Sequence, residues 1–166
     1  MDSSDIFQII FLVLLLMLSA FFSSAETALI TVNRIRMRTL AEDGNKRAAT
    51  VLRITDNSGK MLSAILIGNN IVNLSASSLA TSLAIKIWGS VGAGIATGIL
   101  TVLILIFGEI SPKTLATVNS EKLALTYANV IEVLMKLLTP VILSSISLPT
   151  ASANYSALIR MPIPRR

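Results

Sequence analysis

The side chains that could do chemistry in this sequence are oxygen donors placed inside apolar runs. The chain contains no histidine and no cysteine, so neither imidazole nor thiolate is available to bind a metal. The remaining donors are carboxylate, hydroxyl, amide and backbone carbonyl oxygens, which suit hard cations such as Mg²⁺, Ca²⁺ or Na⁺. Polar groups are costly inside a membrane and usually face a bundle interior or an ion pathway. Three clusters of this kind stand out.

The first cluster is rich in hydroxyl groups. Its members are Ser19, Ser23, Ser24, Glu26 and Thr27. Ser19 and Ser23 are four residues apart, so in a helix their hydroxyls lie on one face. Serine hydroxyls in membrane helices also bond back to carbonyls of their own helix, and that ordinary interpretation stays open.

The second cluster has three amides within five residues, at Asn69, Asn70 and Asn73. Asn69 and Asn73 share one face of a helix, and Asn70 is also close to Asn73. The amides fit two interpretations equally well: they are ligands for a cation, or they form hydrogen bonds that hold neighbouring helices together.

The third cluster follows an apolar run and reads Gly108-Glu109-Ile110-Ser111-Pro112-Lys113. Pro112 has no N–H and its ring disfavours the carbonyl four residues back, so we expect the Gly108 carbonyl to lose its helical partner. Free carbonyls at broken helices coordinate cations in transporters, and this one stands beside a carboxylate. The alternative is that Glu109 anchors the helix end by pairing with Lys113.

The composition places these clusters in a membrane protein. The chain has 166 residues, enough for one domain, with 53% hydrophobic and 14% charged residues. Soluble domains carry about 25% charged residues. The net charge is +5. The basic residues lie beside apolar runs and lack aromatic stacking partners, so we expect no nucleic-acid partner. The sequence predicts an all-α fold whose main partner is the lipid bilayer.

Three spanning helices are predicted, at about residues 6–33, 61–85 and 91–111. Residues 6–25 carry no charge, and a helix of about 20 residues covers the roughly 30 Å hydrocarbon core. A signal peptide is the rival interpretation, but the N-terminus is acidic rather than basic. Gly94 and Gly98 permit close helix packing, although such pairs are common by chance.

Basic residues flank the first span and predict its orientation. Half of the 14 basic residues lie between Arg34 and Lys60, which indicates a cytoplasmic segment and an N-terminus outside. This segment predicts an amphipathic juxtamembrane helix at about 35–58, broken near residues 43–45. A second such helix is predicted at about 120–148, although residues 130–148 alternatively form a short fourth span. The tail, residues 150–166, is then cytoplasmic.

That orientation brings the three clusters to one depth, in the cytoplasmic half of the bundle. One carboxylate, two amides, one or two hydroxyls and a carbonyl supply about six oxygens, which suits an octahedral Mg²⁺.

The three clusters also carry a family resemblance. The runs at 19–29, 68–73 and 108–113, in this order and spacing, resemble the transmembrane domain of the CorC and cyclin M (CNNM) magnesium transporters. The resemblance covers about residues 5–149, nearly the whole chain. The resemblance implies a homodimer with three spanning helices per subunit and a belt of juxtamembrane helices on the cytoplasmic side. It further implies Mg²⁺ efflux driven by inward Na⁺, in a bacterial or archaeal cell membrane.

The resemblance also implies a set of ligands for a dehydrated Mg²⁺. These are the hydroxyls of Ser19 and Ser23, the amide oxygen of Asn70, the carbonyl of Gly108 and the carboxylate of Glu109. Supporting or structural roles fall to Ser24, Glu26, Asn69, Asn73, Pro112 and Lys113.

Family members usually continue into a CBS-domain pair and a small terminal domain. Nothing after Pro149 resembles either domain, so we expect the membrane core alone and no regulation by ATP.

The alternatives to transport are a sensor or scaffold and an enzyme. A membrane-embedded sensor or scaffold that binds Mg²⁺ without moving it would carry the same ligands, so the sequence leaves it open. An enzyme is disfavoured, because there is no histidine, no cysteine and no paired carboxylate. A Ser–Lys dyad of Ser111 and Lys113 would place its members two residues apart, on different sides of a helix.

Overall fold

Helices make up the regular structure of residues 3–142, the part of the chain that this computed structural model describes. The elements are α1 (Ser3–Thr31), α2 (Arg34–Glu42), α3 (Lys46–Asp56), α4 (Ser58–Trp88), α5 (Ser90–Leu103), a π-helical segment (Ile104–Ile110), α6 (Ser111–Val118) and α7 (Ser120–Leu137). No strand occurs in this range. The predicted all-α fold is confirmed.

Three helices are long and apolar enough to cross a membrane, as predicted. They run over Ser4–Thr31, Ser58–Trp88 and Val91–Val118. The third extends to Val118 instead of ending near residue 111, because α5, the π segment and α6 follow one another without a break. Pro112 is the second residue of α6, and because the helix runs on from the π segment, its missing N–H leaves one carbonyl there without a helical donor.

The helix α1 is the centre of the bundle and contacts α4, the π segment, α6 and α7. Its contacts with α4 run in opposite order along the two helices: Asp5 meets Lys86, and Ser19 meets Asn69. The two helices are therefore antiparallel. Close packing is possible where Phe22 of α1 lies over Gly68, since a side chain at Gly68 would collide with the ring.

The predicted break in the first juxtamembrane segment is present. Helix α2 ends at Glu42, and Gly44 takes a φ of +89°, a conformation that favours glycine. Asn33 and Asn45 then cap α2 and α3, each accepting two backbone N–H groups with its side-chain oxygen. The cap residues and the glycine together explain why this segment forms two helices.

The juxtamembrane helices pack on each other and on the spans. Helix α7 buries Ala124, Ala128, Ile131 and Met135, which recur every three or four residues and so form one stripe. This stripe faces α1, α3 and α4. An ion pair between Arg53 and Glu132 joins α3 to α7 at 2.8 Å. The predicted second juxtamembrane helix is seen to Leu137; residues 143–148 and the tail, residues 150–166, lie outside the described range.

Candidate metal site

The three polar clusters meet at Ser19. This side chain is only 1% exposed, and its Oγ donates a long hydrogen bond of 3.4 Å to Asn69 Oδ1 on α4. On the other side it touches the third span at Gly108, where a Cβ would lie 2.9 Å from Ser19 Oγ. One serine thus joins the hydroxyl, amide and Gly-Glu clusters.

The backbone at Gly108 belongs to the π segment, which the sequence analysis did not anticipate. The N–H of Ser111 bonds to the carbonyl of Ile106, five residues back instead of four. In an α-helix the N–H of residue 112 would donate to the Gly108 carbonyl, and in a π-helix it would donate to the Phe107 carbonyl. Pro112 has no N–H, so neither hydrogen bond can form. The stretch therefore lacks one donor, and Pro112 was the only signal of this in the sequence. Single π turns are often found at functional sites.

Two buried oxygens beside Ser19 have no hydrogen-bond partner. They are Ser23 Oγ and Asn73 Oδ1, the only such side-chain atoms within residues 3–142. Because α1 and α4 are antiparallel, they lie about one turn to either side of the Ser19–Asn69 contact. Leaving a buried acceptor unsatisfied costs about 1–3 kcal/mol, so each one calls for a partner such as an ion.

The remaining candidates are placed in different ways. Asn70 is exposed on the surface of the chain, whereas Asn69 and Asn73 are half-buried. Ser24 is buried and donates to the Phe21 carbonyl at 3.0 Å. This one serine therefore makes the ordinary hydrogen bond to a carbonyl of its own helix. The spacing had placed Asn69 and Asn73 on one face, but which face meets α1 depends on the rotation of α4.

Glu109 and Glu26 share a single ammonium group. Lys113 Nζ lies 3.1 Å from Glu109 Oε1 and 3.5 Å from Glu26 Oε2, so it links the third span to α1. All three side chains are about two-fifths exposed. The pairing of Glu109 with Lys113, which had been the alternative to a ligand role, is present. The partner on α1 was not foreseen.

The charge available to a cation here is limited. Within residues 3–142 no three acidic side chains come together, so a cation would rely on neutral oxygens plus one or two carboxylates. A cavity of about 640 Å³ lies nearby, between α1, α6 and α7. Its lining is mostly apolar, with Phe21, Phe107 and Leu115 among its walls, and it includes none of the five candidate ligands.

Comparison with known families decides what kind of domain this is. Residues 9–156 match the family model described as the cyclin M transmembrane N-terminal domain. The chain belongs to this family. The cyclin M resemblance seen in the sequence is thereby confirmed, and membership is consistent with ion transport. The family is defined by a membrane domain and not by a catalytic one.

Bacterial and plastid proteins have similar sequences. A UPF0053 protein of Haemophilus influenzae is 41% identical over 80% of this chain, and the UPF0053 inner membrane protein YfjD of Escherichia coli is 39% identical over 75%. A chloroplastic DUF21 domain-containing protein of Arabidopsis thaliana is 38% identical over 81%. The matched regions cover 32%, 29% and 20% of these relatives. Together with the three apolar helices, the inner-membrane relative supports a membrane location.

Proposed function

We propose that this chain is the membrane core of a magnesium transporter, with the cation held where α1, α4 and the π segment meet. The observation that carries the proposal is the buried Ser19, which contacts Asn69 and Gly108 and lies one turn from the unpartnered Ser23 Oγ. Buried polar groups are almost always satisfied, and a desolvated cation on the Ser23 side of Ser19 would satisfy Ser23 Oγ. Asn73 Oδ1 lies about two helical turns from Ser23 and needs a different partner. Oxygen ligands without sulfur or nitrogen favour Mg²⁺ over zinc or copper.

The proposed ligands are the hydroxyls of Ser19 and Ser23, the Gly108 carbonyl, the Glu109 carboxylate and one amide of α4. Asn70 is the amide that the family resemblance implies. Asn69 is the amide that contacts α1 here, at Ser19. Asn70 is one position beyond Asn69, about 100° around the helix, so it reaches the site after a rotation of α4. The Glu109 charge offsets part of the cation's desolvation cost.

The direction of transport and the assembly are part of the same proposal. The basic belt of α2 and α3 supports an orientation with these helices in the cytoplasm and the N-terminus outside. Mg²⁺ then enters from the belt side and leaves by efflux driven by inward Na⁺. We propose that two copies form a homodimer, as the family resemblance implies.

Calorimetry on the purified protein tests the site. Wild type is titrated with Mg²⁺ beside Glu109→Gln, which keeps the size of the side chain but removes its charge. We expect wild type to bind and the variant to lose binding at least tenfold, because neutral oxygens leave both positive charges uncompensated. Glu42→Gln, at the exposed end of α2, is the matched control and should bind like wild type. Equal binding by Glu109→Gln would exclude the proposed site.

Flux through liposomes separates transport from sensing. Proteoliposomes loaded with Mg²⁺ are placed in a Na⁺ gradient, and Mg²⁺ is followed with a fluorescent indicator. Efflux that requires both Na⁺ and Glu109 supports the transporter. Binding without flux in either direction would favour the sensor or scaffold instead.

A further inference from the structure

The ammonium group of Lys113 is a positive charge that the chain itself holds beside Glu109. The ammonium lies 3.1 Å from the carboxylate next to Gly108 and 3.5 Å from the carboxylate of Glu26 on α1. Lysine has a compact charge on a flexible four-carbon stem, so moving between two carboxylates that close requires only a change of side-chain rotamers. Glu109 therefore has a resident counterion, and that counterion has a second partner within reach.

Charge balance makes the two partners of Lys113 unequal when a divalent cation arrives. With Lys113 on Glu109, the carboxylate is neutralised and attracts Mg²⁺ weakly. A cation bound to Glu109 repels the ammonium, and Glu26, which already lies 3.5 Å from it, keeps it paired. All three side chains are partly exposed, so water screens these interactions and the net effect is moderate.

We propose that Lys113 sets the affinity of the site as an internal competitor of Mg²⁺, and that Glu26 receives its ammonium when the ion binds. The role rests on the proposed function, because it requires a cation at Glu109. Its use is in release: when the ion leaves, Lys113 returns to Glu109, so the empty site carries no unpaired carboxylate. Glu26 acts through Lys113 and does not touch the ion.

A double-mutant cycle on Mg²⁺ affinity, measured by calorimetry, tests this role. Lys113→Gln should tighten Mg²⁺ binding by about tenfold, within the usual range of coupling between charged sites. Glu26→Gln should weaken binding by about threefold to tenfold, because Lys113 then keeps Glu109 as its only partner. In the Lys113→Gln background, Glu26→Gln should change the affinity by less than about twofold. Lys122→Gln on α7 is the control for loss of a positive charge and should bind like wild type.

The cycle distinguishes this role from simple attraction between Glu26 and the ion. If Glu26 acted directly, its removal would weaken binding equally with and without Lys113, and that outcome overturns the inference. If wild type binds no Mg²⁺ at all, the proposed function itself fails. If wild type binds and Glu109→Gln does not, but the cycle shows no coupling, only the role of Lys113 fails.

A second variant keeps the test informative if Lys113→Gln does not fold. Lys113→Arg retains the charge, and the broader guanidinium can bond to both carboxylates at once. We expect it to hold Glu109 more firmly and to weaken Mg²⁺ binding below that of wild type. Unchanged or tighter binding in Lys113→Arg overturns the inference.

Discussion

Replacing Gly108 by alanine tests the closest contact of the candidate site. The added Cβ would lie 2.9 Å from Ser19 Oγ and 3.3 Å from Ser19 Cβ. Ordinary contacts between heavy atoms are about 3.5–4.0 Å, so both distances are too short. Rotation of the serine hydroxyl would remove the first overlap, but it would also break the contact with Asn69 and leave the second. The π segment and α1 must therefore move apart by a few tenths of an ångström.

The cost of this movement follows from known overpacked cores. Inserting one carbon into a well-packed site destabilises a protein by about 1–3 kcal/mol. Alanine also favours a helix over glycine by about 1 kcal/mol, so the variant needs a control that shares this gain. Gly98→Ala is that control, because its added Cβ would meet no heavy atom within 4 Å beyond its chain neighbours and the adjoining backbone of its own helix. We expect Gly108→Ala to be about 1–3 kcal/mol less stable than Gly98→Ala.

Reversible unfolding in mixed micelles measures the difference. Trp88 is the single tryptophan of the chain and reports the transition by fluorescence. The double variant Gly108→Ala with Ser19→Gly should recover part of the lost stability, because it removes both atoms that collide, although the new glycine in α1 costs up to about 1 kcal/mol. Equal stability of Gly108→Ala and Gly98→Ala would refute the reasoning, and so would a double variant that is no better than the single one.

Two further predictions concern packing and pH. Gly68→Ala should destabilise the protein by about 1–3 kcal/mol in the same unfolding assay, since its Cβ would lie 2.6 Å from the Phe22 ring, and Phe22→Leu should restore part of the loss. The Arg53 guanidinium, by its hydrogen bond, holds the pKa of Glu132 below its usual value of 4.5, against the opposing effect of burial and with help from Lys136. The stabilisation from this carboxylate is thus fully present above about pH 4.5 and is lost as the pH falls through the lower folded-state pKa. In thermal unfolding, Glu132→Gln should lose less stability than wild type as the pH falls below about 4.5. An equal loss of stability in the variant would contradict the assignment.

Local signals in the sequence predicted most of the helices. Uncharged runs long enough to span a bilayer predicted three spans, and the Asp43-Gly44-Asn45 stretch predicted the break between α2 and α3. The spans are determined by the hydropathy of their own residues, and the break is determined by the positive φ of Gly44 and by side-chain caps. They do not depend on what the segment packs against.

The details of the candidate site depend on packing, and there the sequence reasoning was incomplete. Pro112 signalled a missing donor, but the helix continues through a π segment that shifts the hydrogen bonds by one residue. The backbone there must also fit Gly108 against Ser19, which no local pattern reveals. The rotation of α4 likewise decides that Asn69 and Asn73 turn inward while Asn70 is exposed. The second partner of Lys113, Glu26, lies far away in the sequence and meets it only because α1 and α6 pack together.

Ser19 divides α1 into a long segment toward Asp5 and a short segment toward Glu26. At 1.5 Å per residue, Ser19 is about 21 Å from Asp5, which pairs with Lys86, and about 10 Å from Glu26, which pairs with Lys113. If α1 tilts as a rigid rod about its crowded middle, each ångström of travel at Glu26 becomes about two ångströms at Asp5. A small displacement at the Lys113 end is therefore amplified at the far end, where the Asp5–Lys86 pair has to accommodate the larger movement.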